Sequence, residues 1–170
     1  MKEFLVTLKN SEQALIRKIK FSDKEFLAKG IKELSAESIQ HRFFLAKKGF
    51  SDKELANLTE FDPRQHFAIG AISHPSLDHG LAIARFNIDH DNPKTAEFAL
   101  LVIDAYHGQG LGKILLKELI KEAKSKGLTS LWGQMKSTNM KMMKLAQSIE
   151  DVTVKTSPEG QGIINIEILF

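Results

Sequence analysis

The stretch "AEFALLVIDAYHGQGLGKILLKELIKEAKSKG", Ala96–Gly127, joins two textures. Its first part, to Asp104, is a nearly continuous apolar run, the pattern of a strand buried on both faces. From Leu111 to Ser125 the apolar residues Leu111, Ile114, Leu115, Leu119 and Ala123 recur at helical spacing, with Lys113, Lys117, Lys121 and Lys124 around the rest of the circumference. Gly127 is placed to end that helix. Between strand and helix lies His107-Gly108-Gln109-Gly110-Leu111-Gly112, with glycine at every second position.

Glycines between a strand and a helix suit phosphate, because successive backbone N–H groups at a helix start can turn toward an anion. Two familiar versions fail on spacing. A P-loop needs a second glycine directly before Lys-Ser or Lys-Thr, and here Gly112-Lys113 is followed by Ile114. A dinucleotide fingerprint needs a third glycine where Lys113 stands. What remains is a nest of N–H groups with Lys113 as a nearby cation, or a tight turn whose glycines only allow close packing.

Outward from this segment the chain reads as one mixed α/β domain, residues 1–170. "EFLVTL" and "QALIRKIKF" alternate as strands around Asn10-Ser11. Three helices follow: "SDKEFLAKGIKEL" with Ser22 and Asp23 as caps, "SAESIQHRFF" capped by Ser35, and "SDKELANLT" with Ser51 and Glu54 as a capping box. Next come the strands "HFAIGAIS" and "GLAIARFNI". After the glycine segment "LTSLWGQM" is a strand and "NMKMMKLAQSI" a helix, and "DVTVKT" and "GIINIEILF" form a hairpin around "SPEGQ". The expected order is ββ, three helices, βββ, α, β, α, ββ.

Composition narrows the function classes. The apolar content of 42% suits a globular domain, and a formal charge of +3 is too small a bias to argue for nucleic acid. With no cysteine there is neither a disulfide framework nor a thiolate nucleophile or metal site, and the six histidines show no paired metal spacing. "MKEFLVTLKN" does not have the form of a signal peptide, and no run is long and apolar enough to span a bilayer, so the expected location is cytoplasmic.

The segment Ala96–Ser148 resembles the GNAT N-acetyltransferase superfamily. Its signature, Q/R-x-x-G-x-G/A, aligns with His107–Gly112, and Asn139 stands where the family has an Asn opening the next helix. Upstream, "SAESIQHRFF" and "LTEFDPRQHFAIGA" are similar to bacterial protein lysine acetyltransferases. Those relatives often carry an attached ligase-like or nucleotide-sensing domain, for which 170 residues leave no room. Two departures are visible: His107 replaces the family's Gln or Arg, and Ala146 replaces a Tyr that serves many members as general acid. The only Tyr is Tyr106.

The resemblance implies a central, mostly antiparallel twisted sheet flanked by helices, with acetyl-CoA in a cleft between two splayed strands. It implies acetyl transfer to a primary amine, with protein lysine favoured, and no metal. Glu97, ten residues before His107, would be the general base; otherwise it is a polar strand-end residue. The backbone of Leu101 and Val102 would pair with the cofactor's arm. His107, Gly108, Gln109, Gly110, Leu111, Gly112 and Lys113 would hold its pyrophosphate. Asn139 would bond the arm, cap its helix, or both. Asp104 and Asp62 are either walls of an amine cleft or turn residues. The competing functions are a small-amine acetyltransferase acting on a polyamine, aminoglycoside or amino acid, and a non-catalytic acyl-CoA sensor.

Overall fold

The computed structural model describes residues 1–43, 59 and 62–170. Its core is one eight-stranded sheet in the order β1-β2-β3-β4-β5-β6-β8-β7. The strands are β1 (Phe4–Thr7), β2 (Gln13–Lys18), β3 (His66–His74), β4 (Gly80–Ile88), β5 (Thr95–Val102), β6 (Ser130–Lys136), β7 (Thr153–Gly160) and β8 (Ile163–Leu169). The described helices are α1 (Lys24–Lys32), α2 (Ala36–Phe43), α3 (Leu111–Ser125) and α4 (Met140–Gln147). All neighbours are antiparallel except β5 and β6, which α3 connects as a parallel pair. Of the helix expected at "SDKELANLT", all but Thr59 falls outside the described residues.

Alternation sorts the central strands into two faces. Phe67 and Ile69 of β3, Ala84 and Phe86 of β4, and Ala96 and Phe98 of β5 are buried on one of them, and α3 lies there. The buried stripe of α3 is wider than the spacing argument gave: Leu116 and Ile120 join Leu111, Leu115, Leu119 and Ala123, while Ile114 is half-buried. Each fully buried leucine contributes roughly 1.5–3 kcal/mol. The last hairpin also differs from expectation. β7 continues through Ser157–Gly160, and the turn is Gln161-Gly162, with φ of 50° and 74°. A two-residue turn with both φ positive matches the twist of its strands.

On the other face α1 lies close to β4. A Cβ at Gly30 would come within 2.6 Å of the Gly80 carbonyl oxygen, so glycine here permits the approach. The start of α1 is fixed by an ion pair. Asp23 does not cap the helix with its side chain, contrary to the capping pattern. Its carboxylate instead accepts two bonds of 2.7 Å from Arg17 of β2 and one from the Lys20 N–H. The Arg17 and Asp23 side chains are only 11% and 2% exposed.

Burial alone would raise the Asp23 carboxyl, but the bonds from Arg17 and Lys20 hold it below the ordinary range. Its stabilisation is therefore fully present above the unfolded carboxylate pKa of about 3.9 and is lost as pH falls through the lower folded value. Asp23→Ala leaves a buried guanidinium unpaired and costs about 3–5 kcal/mol, read as a lower urea midpoint.

Candidate active site

β5 and β6 share only three paired positions, Thr95↔Ser130, Ala96↔Leu131 and Glu97↔Trp132. β5 continues against β4 as far as Val102, and β6 against β8 as far as Lys136. Beyond Glu97 the inner edges of the two strands are therefore unpaired with one another. Gly133 marks the last close point, since a Cβ there would lie 3.0 Å from the Phe98 carbonyl oxygen. The result is a wedge, closed at Thr95 and open toward Val102. Leu101 is half-buried and Val102 buried, so their side chains serve packing while the backbone borders the wedge.

The glycine segment lies at the open end. Gly110 is the N-cap of α3 with φ of 98°, and Gly108 has φ of 76°. Added Cβ atoms at either would meet nothing within 4 Å, so both glycines face open space. No side chain caps α3, leaving its first N–H groups available. Gly112 has a different role: a Cβ there would press on Leu145 of α4 at 3.1 Å, so this glycine lets two helices meet. The Leu111 side chain is core, and Lys113 is 3.7 Å from Glu150 in an exposed ion pair.

The neighbours of the loop are now clear. His107 Nε2 is 3.0 Å from the Val102 carbonyl oxygen, and its Nδ1 is 3.4 Å from Lys141 Nζ of α4. This contact brings the start of α4 to the loop. Asn139 is the N-cap of α4, its Oδ1 accepting from the Met142 N–H at 3.1 Å. The Gln109 Oε1 is buried without a partner among the described residues.

Glu97 stands at the closed end, about 13 Å along the strand from Leu101 by the rise per residue. It is exposed and lines a cavity of about 80 Å³ with His66, Arg85 and Asn87. Cross-strand register produces this cluster, because Glu97 lies opposite Asn87 and Asn87 opposite His66. A second cavity of about 40 Å³, walled by Leu27 and Ile31 of α1 and by Ile83 and Leu101, shares Arg85 and Ala99 with the first. The cavities adjoin at Arg85 and Ala99: the one at Glu97 has polar groups in its lining, and the one under α1 is apolar toward Leu101. Burial pushes the His66 imidazole down and Arg85 pushes it further, with Asp62 offsetting part of this. Burial also lowers the Arg85 guanidinium, against the support of Glu97. The sequence reading missed His66, Arg85 and Asn87; the one local signal was a charge inside the apolar strand "GLAIARFNI".

Residues 33–163 match the acetyltransferase (GNAT) family model. The chain belongs to the acetyltransferase (GNAT) family. It is 29% identical over 163 residues to acetyltransferase Pat of Mycolicibacterium smegmatis, covering 96% of this chain and 47% of that protein. It thus spans about half the length of that relative. Against an acetyltransferase of Pseudomonas aeruginosa it is 24% identical, covering 94% of this chain and 86% of the other. The GNAT domain of S. lividans PAT superimposes with a TM-score of 0.87 at 25% identity, over 99% of this chain and 97% of that one. A Salmonella typhimurium acetyltransferase solved with its cofactor acetyl-CoA has the same fold, with a TM-score of 0.70 at 19% identity over 91% of each chain.

Within this GNAT domain the two aspartates in question hold structure. Asp62 takes the Arg64 guanidinium and the Arg64 N–H in the turn before β3. Asp104 joins the wedge to α2: its carboxylate accepts from Ser35 N–H at 2.9 Å, Ser35 Oγ at 2.8 Å and Ser38 Oγ at 2.9 Å. Ser35 Oγ also accepts from the Ser38 N–H, as the capping pattern requires. Burial alone would raise the Asp104 carboxyl, but these bonds and the nearby His107 hold it below the ordinary range. Among the described residues no three His, Cys, Asp or Glu side chains are grouped to hold a metal, and no helix is long and apolar enough to cross a membrane.

Asp104→Ala removes three acceptor contacts at once and costs about 1–3 kcal/mol of thermal stability. Gly112→Val forces the Leu145 contact apart and costs a similar amount, about 1–3 kcal/mol, read in the same melt.

Proposed function

We propose that this chain, as one domain over residues 1–170, transfers an acetyl group from acetyl-CoA to a primary amine, with protein lysine as the acceptor. The observation that carries the reading is the wedge: β5 and β6 part after three pairs, and an uncapped helix opens at its mouth behind two left-handed glycines. The edge of β5 at Leu101 and Val102, unpaired with β6, suits an amide-bearing arm. The N–H groups from Gly108 to Lys113 suit a pyrophosphate, with the open space at Gly108 and Gly110 as its seat. His107, held on Val102, and Gln109, with its unpartnered oxygen, belong to this loop, and Asn139 caps the helix whose Lys141 meets His107.

Lysine has a pKa near 10.4, so only about one side chain in 2,500 is neutral at pH 7. Glu97, exposed at the closed end of the wedge, is the proposed base, acting directly or through one water. The lone pair then attacks the thioester carbonyl, whose developing charge a backbone N–H of β5 stabilises. The two adjoining cavities support the acceptor assignment: Glu97 lines one, and the apolar walls of the other, under α1, suit a methylene stem. The likeness to acetyltransferase Pat, a protein of twice the length, supports the acetyl-transfer part of this reading.

Calorimetric titration with acetyl-CoA tests the cradle. Wild type binds; Gly110→Glu, which adds bulk and negative charge to the seat, abolishes binding; Gly110→Ala, which carries the left-handed strain alone, keeps part of it. A folded wild type that binds nothing ends the reading. Glu97→Gln is expected to lower kcat about 10²–10⁴-fold on a lysine peptide, with acetyl-CoA affinity within twofold of wild type. Full activity in that variant removes Glu97 from the base role.

A further inference from the structure

Alternation puts Glu97, Ala99 and Leu101 of β5 on the face of the sheet opposite α3, with Ile83 of β4 across from Leu101. On this face α1 leaves an apolar cavity. Leu27 and Ile31 form its wall, Ile83, Ala99 and Leu101 its floor, and every lining residue except Arg85 is apolar or glycine. The height of α1 above the sheet is fixed at two points. At its start Arg17 and Asp23 join the helix to β2. Near its end Gly30 and Gly80 bring α1 and β4 together: a Cβ on Gly30 would lie 2.6 Å from the Gly80 carbonyl oxygen, and a Cβ on Gly80 would lie 3.1 Å from the Phe26 carbonyl oxygen. One water-sized group needs roughly 10–15 Å³. At about 40 Å³ the cavity holds about three such groups, most of the methylene chain of a lysine. Ala99 is where it adjoins the cavity at Glu97. Ala99 stands about 7 Å of strand from Glu97 on one side and the same from Leu101 on the other. An amine at Ala99 therefore lies within reach of Glu97 through one water and beside the strand edge proposed to hold the thioester.

Resting on the lysine-acetylation reading above, we propose that the cavity under α1 is a length gauge for the acceptor: Leu27 and Ile31 of α1 and Ala99 of β5 select an unbranched aliphatic amine with a stem of lysine's length. The stem is held by burial of its methylenes between α1 and the sheet, and the anchored helix keeps that space constant. A stem one methylene short draws the nitrogen back from Ala99 or leaves part of the cavity unfilled. A stem one methylene long carries the nitrogen past Ala99. Each buried methylene is worth about fourfold. These side chains set where the amine stops and touch no reacting atom, so their substitution changes the preference among acceptors.

The test is competition in one tube, with the full chain and acetyl-CoA, among otherwise identical peptides that carry ornithine, lysine or homolysine. The product ratios report relative kcat/KM and are independent of folded fraction and cofactor affinity. Wild type is expected to favour lysine over ornithine by about fourfold or more. Ala99→Val, which adds two carbons to the floor, lowers the lysine-to-ornithine ratio by about fourfold or more. Ile31→Val, which removes one methyl from the wall, raises the homolysine-to-lysine ratio about two- to fourfold. Wild type with no preference among the peptides, or a folded variant that leaves its ratio unchanged, overturns the proposal while acetyl transfer stands. So does a shifted preference between propionyl-CoA and acetyl-CoA with the acceptor ratios intact, which assigns the cavity to the acyl chain. Wild type that acetylates none of the peptides overturns the lysine reading and this proposal together. Should Ala99→Val fail to melt cooperatively, Ile31→Val carries the test, and an unchanged homolysine-to-lysine ratio overturns the proposal.

Discussion

Asp89 follows β4, and its carboxylate accepts from Thr95 Oγ1 at the head of β5 and, at 2.7 Å, from Trp132 Nε1 in β6. This knot closes one end of the β5–β6 pair. The Thr129 N–H bond to the Lys94 carbonyl at 2.8 Å and the Ser130 Oγ bond to Glu167 at 2.8 Å tighten the same end. A parallel pair this short has little ladder of its own. The polar knot fixes where the strands meet, and the twist of the sheet and the packing of α3 then carry them apart. Every candidate residue is placed relative to that point: Glu97 where pairing stops, Leu101 and Val102 along the free edge, and the glycines where the edge ends.

Two further polar knots fix the walls. Arg17 and Asp23 hold the start of α1, and Asp104 with Ser35 and Ser38 holds the start of α2 against the turn before the glycines. The first ties α1 to β2, and the second ties α2 to the turn that follows β5. Shifting α2 therefore pulls on the segment Asp104–His107, and His107 is bonded in turn to the Val102 carbonyl. Helix α2 and the glycine loop share one chain of contacts, built from groups that are expensive to leave unpaired.

What the sequence revealed follows from the range of each signal. Helix α3 was legible to its end residues, because amphipathic spacing and a terminal glycine are local. The first hairpin and the cap at Ser35 are local too, although β2 stops at Lys18, short of the expected Phe21. The likeness to GNAT proteins located the loop, but it assigned one role to three glycines that have two: Gly108 and Gly110 adopt positive φ, and Gly112 clears space for Leu145, which is thirty-three positions away. Asp23 resembled a cap because its partner Arg17 lies on another element. The cluster of His66, Arg85 and Asn87 beside Glu97 was hidden for the same reason, as register across three strands assembles it and no local spacing encodes register. Asn139 is the open case: the structure shows its capping bond, and the contact between the start of this helix and the loop is made by Lys141 with His107.

The balance of acid and base chemistry follows from α4. Where many GNAT members carry a tyrosine on this helix, Ala146 is fully buried against the core. A phenol there would need a hole that the packing does not provide. The chain's single tyrosine, Tyr106, is no substitute: burial first, and then Glu12 beside it, pushes its phenol up to about 12, away from the range of a useful acid. On the proposed reading this is tolerable because the two proton demands are unequal. Releasing a thiol of ordinary pKa near 8.5 as thiolate at pH 7 costs about 2 kcal/mol, whereas freeing the lone pair of an exposed lysine costs about 4.6 kcal/mol. The larger demand lies on the acceptor side, and that is the side on which β5 presents the Glu97 carboxylate to a cavity.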